Sequence, residues 1–132
     1  MRHGEAESNM RNVIDDTLTT YHLTERGKKQ VVATIKKLKK TKFDFIYASP
    51  ILRTKETAEM VAEELGAEIF FDDRLQEIHL GEFRGKSPKE YHARFPTHGA
   101  KFKNRPQGGE NLVDLRARLM SFIQEIDAKN SG

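Results

Sequence analysis

Phe43-Asp44-Phe45-Ile46-Tyr47-Ala48-Ser49-Pro50-Ile51-Leu52-Arg53-Thr54-Lys55-Glu56-Thr57-Ala58 is the stretch on which the fold turns. Its first six residues are β-branched and aromatic, and Ser49-Pro50 closes them, so residues 43–48 read as a short buried strand. Beyond the proline, Ala58, Val61 and Leu65 share one helical face, and Gly66 is placed to stop that helix. Toward the C-terminus, Ala67-Glu68-Ile69-Phe70-Phe71 reads as a second short strand, followed by the acidic turn Asp72-Asp73. Toward the N-terminus, Thr24 offers an N-cap, and Val31, Ile35 and Leu38 fall at helical spacing in a segment ending near Lys40. Helix, strand, helix, strand in this order predicts an α/β domain with parallel strands.

The flanks are less regular. The first twenty-odd residues are polar and aperiodic and read as a loop. Residues 74–109 hold most of the glycine and proline and read as a long functional loop region, with a short helix over 88–95. Leu112, Leu115, Leu119, Phe122, Ile123 and Ile126 then mark a third amphipathic helix ending near Lys129. Two strands cannot cover three apolar helix faces, so the pattern implies an incomplete sheet.

Composition narrows the chemistry. With 132 residues the default is one domain, 1–132. No cysteine is present, which removes disulfides, thiolate metal sites and a thiol nucleophile, and agrees with a reducing cytoplasm as the location. No apolar run approaches the roughly 20 residues that span a bilayer, so no membrane partner is expected. A formal net charge of +3 favours an anionic substrate without marking a nucleic-acid binder. The basic run Lys36-Lys37-Leu38-Lys39-Lys40-Thr41-Lys42 closes a helix, where cations suit the negative end of the macrodipole, and no aromatics interleave with it. No clustered His and carboxylate spacing suggests a metal, and no cofactor is called for.

Five segments then carry the chemistry, in order: Arg2-His3-Gly4-Glu5; Leu23-Thr24-Glu25-Arg26-Gly27; Ser49-Pro50-Ile51-Leu52-Arg53-Thr54-Lys55-Glu56-Thr57-Ala58; Arg74-Leu75-Gln76-Glu77-Ile78-His79-Leu80-Gly81-Glu82-Phe83-Arg84-Gly85; and Gly108-Gly109-Glu110. Together they resemble the phosphoglycerate mutase-like histidine phosphatase superfamily over almost the whole chain. The resemblance implies a three-layer α/β/α fold with a mainly parallel sheet. It also implies phosphoryl transfer through a phosphohistidine, acting on a small phosphorylated metabolite.

The residue types suit that chemistry on physical grounds. A neutral imidazole attacks phosphorus well, and a covalent phosphohistidine divides one hard displacement into two easier ones, which makes His3 the nucleophile. Forked guanidinium donors match the equatorial oxygens of a transferring phosphoryl group, the task expected of Arg2 and Arg53. The departing alkoxide needs a proton, and the attacking water must then lose one. The resemblance assigns both steps to Glu77. It also places Asn9 where its amide donates to the phosphoryl group, and His79, two residues beyond Glu77, in a loop facing the substrate. His22, His92 and His98 read as solvent-facing or packed histidines.

Two departures from the family pattern stand out. Complete members have a hydrophobic strand before Arg-His-Gly, where this chain has only Met1, and a later strand bearing a second His-Gly, due where Ser131-Gly132 stands. The reading is therefore of a truncated histidine phosphatase-like domain, whose exposed strand edge invites pairing between chains, a homo-oligomer among the outcomes. The short stretch from Gly85 to Gly108 resembles the compact phosphatase branch, so hydrolysis of small phosphomonoesters is the leading expectation and phosphoglycerate mutase the runner-up. From another class comes an inactive phosphate-binding or interaction module that keeps Arg2, His3 and Arg53 as an anion site.

Overall fold

The computed structural model describes residues 1–130. Ser131 and Gly132, where the second His-Gly strand is expected to begin, lie outside the described residues. Contacts divide the chain into two compact units, residues 1–11 with 17–73, and residues 12–16 with 74 onward.

The first unit contains α1 (Glu7–Met10), α2 (Glu25–Leu38), β1 (Phe45–Ala48), α3 (Leu52–Leu65) and β2 (Glu68–Phe71). Thr24 caps α2 as its spacing suggests, its hydroxyl oxygen accepting the Gly27 N–H at 2.9 Å. Gly66 ends α3 in the left-handed conformation, φ 64°, which costs a residue without a Cβ little. Between them β1 and β2 pair in parallel, Phe45 opposite Glu68 and Ala48 opposite Phe71, joined by α3 as the crossover. Val31 and Ile35 of α2 meet Val61 of α3 and Leu23 in a buried cluster, against which Ile46, Met60 and Leu65 pack. The opposite face of the strand pair is aromatic, with Tyr47 stacked on Phe70 at 5.6 Å.

The second unit contains α4 (Pro88–Arg94), α5 (His98–Lys103) and α6 (Leu112–Asn130). Its core is Leu80, Phe83, Tyr91 and Phe95, with Ile14 and Ile78 packed against them, and Phe83 meets Tyr91 edge-on at 5.6 Å. Burial pushes the Tyr91 hydroxyl above its ordinary pKa. At the start of α6, Asn111 and Asp114 each accept the other's backbone N–H, at 2.9 and 3.0 Å, and Arg105 forks onto Asp114 at 2.6 and 2.8 Å. Among the described residues no helix is long and apolar enough to cross a membrane.

The α/β class and the parallel strands are as the sequence reads. Three local expectations need correction. The opening segment is not all loop: α1 forms there, because the Asn9 side chain accepts the Ala6 N–H and closes the turn, and Ala6 bridges Leu23. The strands over 43–48 and 67–71 shorten to Phe45–Ala48 and Glu68–Phe71, since pairing ends where the partner strand ends. Helix α5, unforeseen, starts at a Thr97 cap that accepts the Ala100 N–H at 3.0 Å. Its six residues are too few to show a helical period.

Candidate active site

The first unit brings His3 and Arg53 together across 50 residues of sequence. Arg53 stands in the first turn of α3, which carries its side chain inward, and it is only 4% exposed. Its Nε–H donates to His3 Nε2 at 3.2 Å, while His3 Nδ1 lies 2.5 Å from the Gly4 carbonyl oxygen. A carbonyl accepts only, and a guanidinium donates only. The pair of contacts therefore assigns the proton to Nδ1 and leaves the lone pair on Nε2. In this tautomer the Nε2 lone pair faces Arg53.

Glycine makes the placement of His3 feasible. Residues 4 and 5 run against the first turn of α2 so closely that a Cβ on Gly4 would lie 2.5 Å from the Gly27 oxygen, and one on Gly27 would lie 2.0 Å from the Glu5 oxygen. Thr24, besides capping α2, donates from its backbone N–H to the Glu5 carbonyl at 2.9 Å and from its hydroxyl to the Glu5 carboxylate at 2.9 Å. Thr57, buried in α3, donates its hydroxyl to the Arg53 carbonyl at 2.9 Å and accepts the Gly4 N–H at 3.2 Å. Glu56 accepts the Leu23 N–H at 2.9 Å. Three sequence segments about twenty residues apart are thus tied to one another by their own polar residues.

A cavity of about 280 Å³ opens beside His3, lined also by Arg2, Gly4, Glu5, Asn9 and Gln30. That volume lies at the small end of ligand pockets. Asn9 presents its carbonyl oxygen to the Ala6 N–H at 2.9 Å, which turns its NH₂ group away from that contact as a donor. Arg2 and Asn9 are exposed and His3 half-buried. The Glu5 carboxylate, the one acidic lining group, is engaged by the Thr24 hydroxyl and faces Arg26 at 4.0 Å.

Glu77 and His79 belong to the second unit. Glu77 is exposed, on a loop whose backbone is held from α6: Arg118 donates to the carbonyl oxygens of Arg74, Gln76 and Glu77 at 2.8, 2.5 and 2.8 Å. Arg118 also forks onto Glu110 at 3.0 and 3.1 Å, and Glu110 in turn accepts the His79 N–H at 2.9 Å. Burial would raise the Glu110 carboxyl, but these hydrogen bonds outweigh it and hold the group below the ordinary range. Gly109 is required there, because a Cβ would lie 2.7 Å from the His79 oxygen. His79 Nδ1 lies 3.3 Å from the Asp16 carboxylate, which also accepts from Arg84 Nε. Burial again opposes ionisation of Asp16, and hydrogen bonds from Arg84 and His79 prevail, so its pKa falls.

Sequence reasoning gave no role to Thr57, Arg118, Asp16 or Arg84. Thr57 and Arg84 lie inside the quoted segments and were within reach of it. Arg118 and Asp16 sit in segments without any motif, and their roles depend on contacts formed only in the fold. Among the described residues no group of three or more His, Asp or Glu is arranged to hold a metal ion.

Comparison with known proteins bears on the family and the fold. The family model described as histidine phosphatase superfamily (branch 1) matches residues 1–132. The chain is 35% identical over 91 residues to a 2,3-bisphosphoglycerate-dependent phosphoglycerate mutase of Thermoplasma acidophilum, covering 69% of this chain and 46% of that one. It is 33% identical to phosphoserine phosphatase 1 of Hydrogenobacter thermophilus, over 96% of this chain and 62% of that one. A solved mycobacterial glucosyl-3-phosphoglycerate phosphatase in complex with VO3 superposes with a TM-score of 0.84 at 31% identity, covering 97% of this chain and 63% of that one. The chain thus spans between about half and two thirds of the length of these relatives.

Proposed function

The chain belongs to the histidine phosphatase superfamily, branch 1, and from that premise we propose that it transfers a phosphoryl group from a small phosphomonoester to His3 and then to water. The observation that carries this reading is the His3 tautomer: Nδ1 against the Gly4 carbonyl, Nε2 turned to Arg53. Nε2 attacks phosphorus as the ester P–O bond breaks, and the Glu77 carboxyl gives its proton to the departing oxygen. Water then attacks the phosphohistidine, Glu77 takes the water proton, and the N–P bond breaks to release phosphate. Arg53 transfers its hydrogen bond from Nε2 to the phosphoryl oxygens as the substrate arrives, and Arg2 and Asn9 orient the same oxygens. His79 contacts the leaving group.

The reading treats residues 1–132 as one histidine phosphatase-like domain acting on a small phosphorylated metabolite in the cytoplasm. Phosphoserine and glucosyl-3-phosphoglycerate, named for two phosphatase relatives, are the first substrates to assay. The mutase relative makes isomerisation of phosphoglycerate the competing activity to measure beside phosphate release.

The test is hydrolysis of an aryl phosphate by the wild-type chain and by His3→Ala, with acid-labile labelling of the protein by a phosphoryl donor. Labelling and turnover in the wild type, and neither in His3→Ala, are expected. Equal turnover by both proteins removes His3 from the mechanism. An anion that binds the wild type without labelling or turnover points to the inactive phosphate-binding module.

A further inference from the structure

We infer that Arg118, through its ion pair with Glu110, is a positioning residue for Glu77: it locks the loop backbone that aims the proton-donating carboxyl. The inference rests on the reading of Glu77 as proton donor. All five guanidinium N–H donors of Arg118 are used, two on Glu110 and three on the carbonyls of Arg74, Gln76 and Glu77. Glu110 completes the clamp from the other side. Its carboxylate accepts the His79 N–H at 2.9 Å, and its own N–H donates to the His79 carbonyl at 2.7 Å. Glu77 is therefore gripped at its own carbonyl, at the residue before it and at the second residue after it.

Chemistry explains why this grip serves aim rather than packing alone. The Arg118 and Glu110 side chains are 17% and 19% exposed, so two opposite charges are withdrawn largely from water, a costly arrangement that apolar side chains replace at no loss of stability in many proteins. Here every hydrogen bond that Arg118 makes beyond Glu110 goes to main chain within four residues, 74 to 77. Glu77 itself is exposed, and its carboxyl extends from the backbone that Arg118 holds. The side chain of Arg74 reinforces the attachment to α6, donating to Ser121 at 3.2 Å and pairing with Glu125. A proton donor displaced by even 1 Å loses much of its effect.

The experiment compares an alkyl phosphate, whose departing alkoxide needs a proton, with 2,4-dinitrophenyl phosphate, whose phenolate does not. Arg118→Ala, Arg118→Lys and Glu110→Gln are measured against wild type, with unfolding followed in each. Glu110→Gln retains the shape of the clamp but turns an amide donor toward Arg118, so it keeps the test informative should Arg118→Ala fail to fold. Expected is a loss in kcat/KM, which reports phosphorylation and not the later attack of water that both esters share, on the alkyl ester on the order of 10-fold to 100-fold greater than on the aryl ester, within the range of general-acid catalysis. Equal losses in kcat/KM on both esters overturn the inference. Amide exchange at His79 is read in the same proteins, with Ile35 of the first unit as reference. Acceleration of about 10-fold or more supports the lock, and unchanged exchange overturns it. Failure of the wild-type chain to turn over either ester sinks the phosphatase reading instead, and leaves the exchange result to decide the lock.

Discussion

His3 and Glu77 are held in place by opposite means. Around His3 the backbone itself is the fixture: Gly4 and Gly27 allow two segments to approach within the space of a side chain, and uncharged or capping groups, Thr24 and Thr57, tie them together. Around Glu77 the fixture is an ion pair, Arg118 with Glu110, that reaches out to a loop. The proposed attack of His3 on phosphorus follows one line, and close-packed backbone provides that with little freedom. Under the proposed mechanism Glu77 serves as proton donor and then as base, and the clamp holds the backbone from which both steps are made.

The largest effect that would break this contrast is expected at Arg53. Arg53→Ala removes the Nε–H that meets His3 Nε2 and should lower the rate of His3 labelling by about two to three powers of ten, the cost of losing one oriented donor. A loss below 10-fold would mean that Arg53 is a packing residue. Next come the glycines. Gly27→Ala places a Cβ 2.0 Å from the Glu5 carbonyl oxygen, and Gly109→Ala one 2.7 Å from the His79 carbonyl oxygen. Overpacking of this kind typically costs about 1–3 kcal/mol. Gly27→Ala should be the more destabilising in denaturant unfolding and should abolish labelling, whereas Gly109→Ala should leave labelling and slow turnover. The reverse pattern would assign the rigid role to the second unit.

A smaller effect separates the clamp from the rest of α6. Arg105 and the Asn111 N–H hold the Asp114 carboxyl down to about 2, against an ordinary value of 3.8. Because the folded-state pKa is lowered, its stabilising contribution is complete above the ordinary value and disappears as pH falls through about 2. Thermal unfolding followed from pH 5 to pH 2 should therefore show a steeper decline for wild type than for Asp114→Asn, the two curves converging at the acid end. Parallel curves would show that the cap of α6 does not depend on that charge.

Much of this molecule was legible in linear order. The α2 cap at Thr24, the stop at Gly66 and the period of Val31 and Ile35 are local physics, and each is found in the fold where the sequence puts it. The family resemblance of the ordered segments singled out Arg2, His3, Asn9, Arg53, Glu77 and His79. Local reading missed α1, whose closing contact is a single Asn9 side chain, and α5, which is shorter than two helical turns.

Sequence alone determined the α/β class, the start of α2 at Thr24 and the stop of α3 at Gly66, since propensity, capping and periodicity act within a few residues of each position. Only tertiary structure decided that His3 Nε2 meets Arg53 Nε at 3.2 Å and that Arg118 grips the Glu77 loop. Those facts depend on groups about 40 or more residues apart arriving within hydrogen-bond distance. Directional contacts of that range leave no periodic trace along the chain.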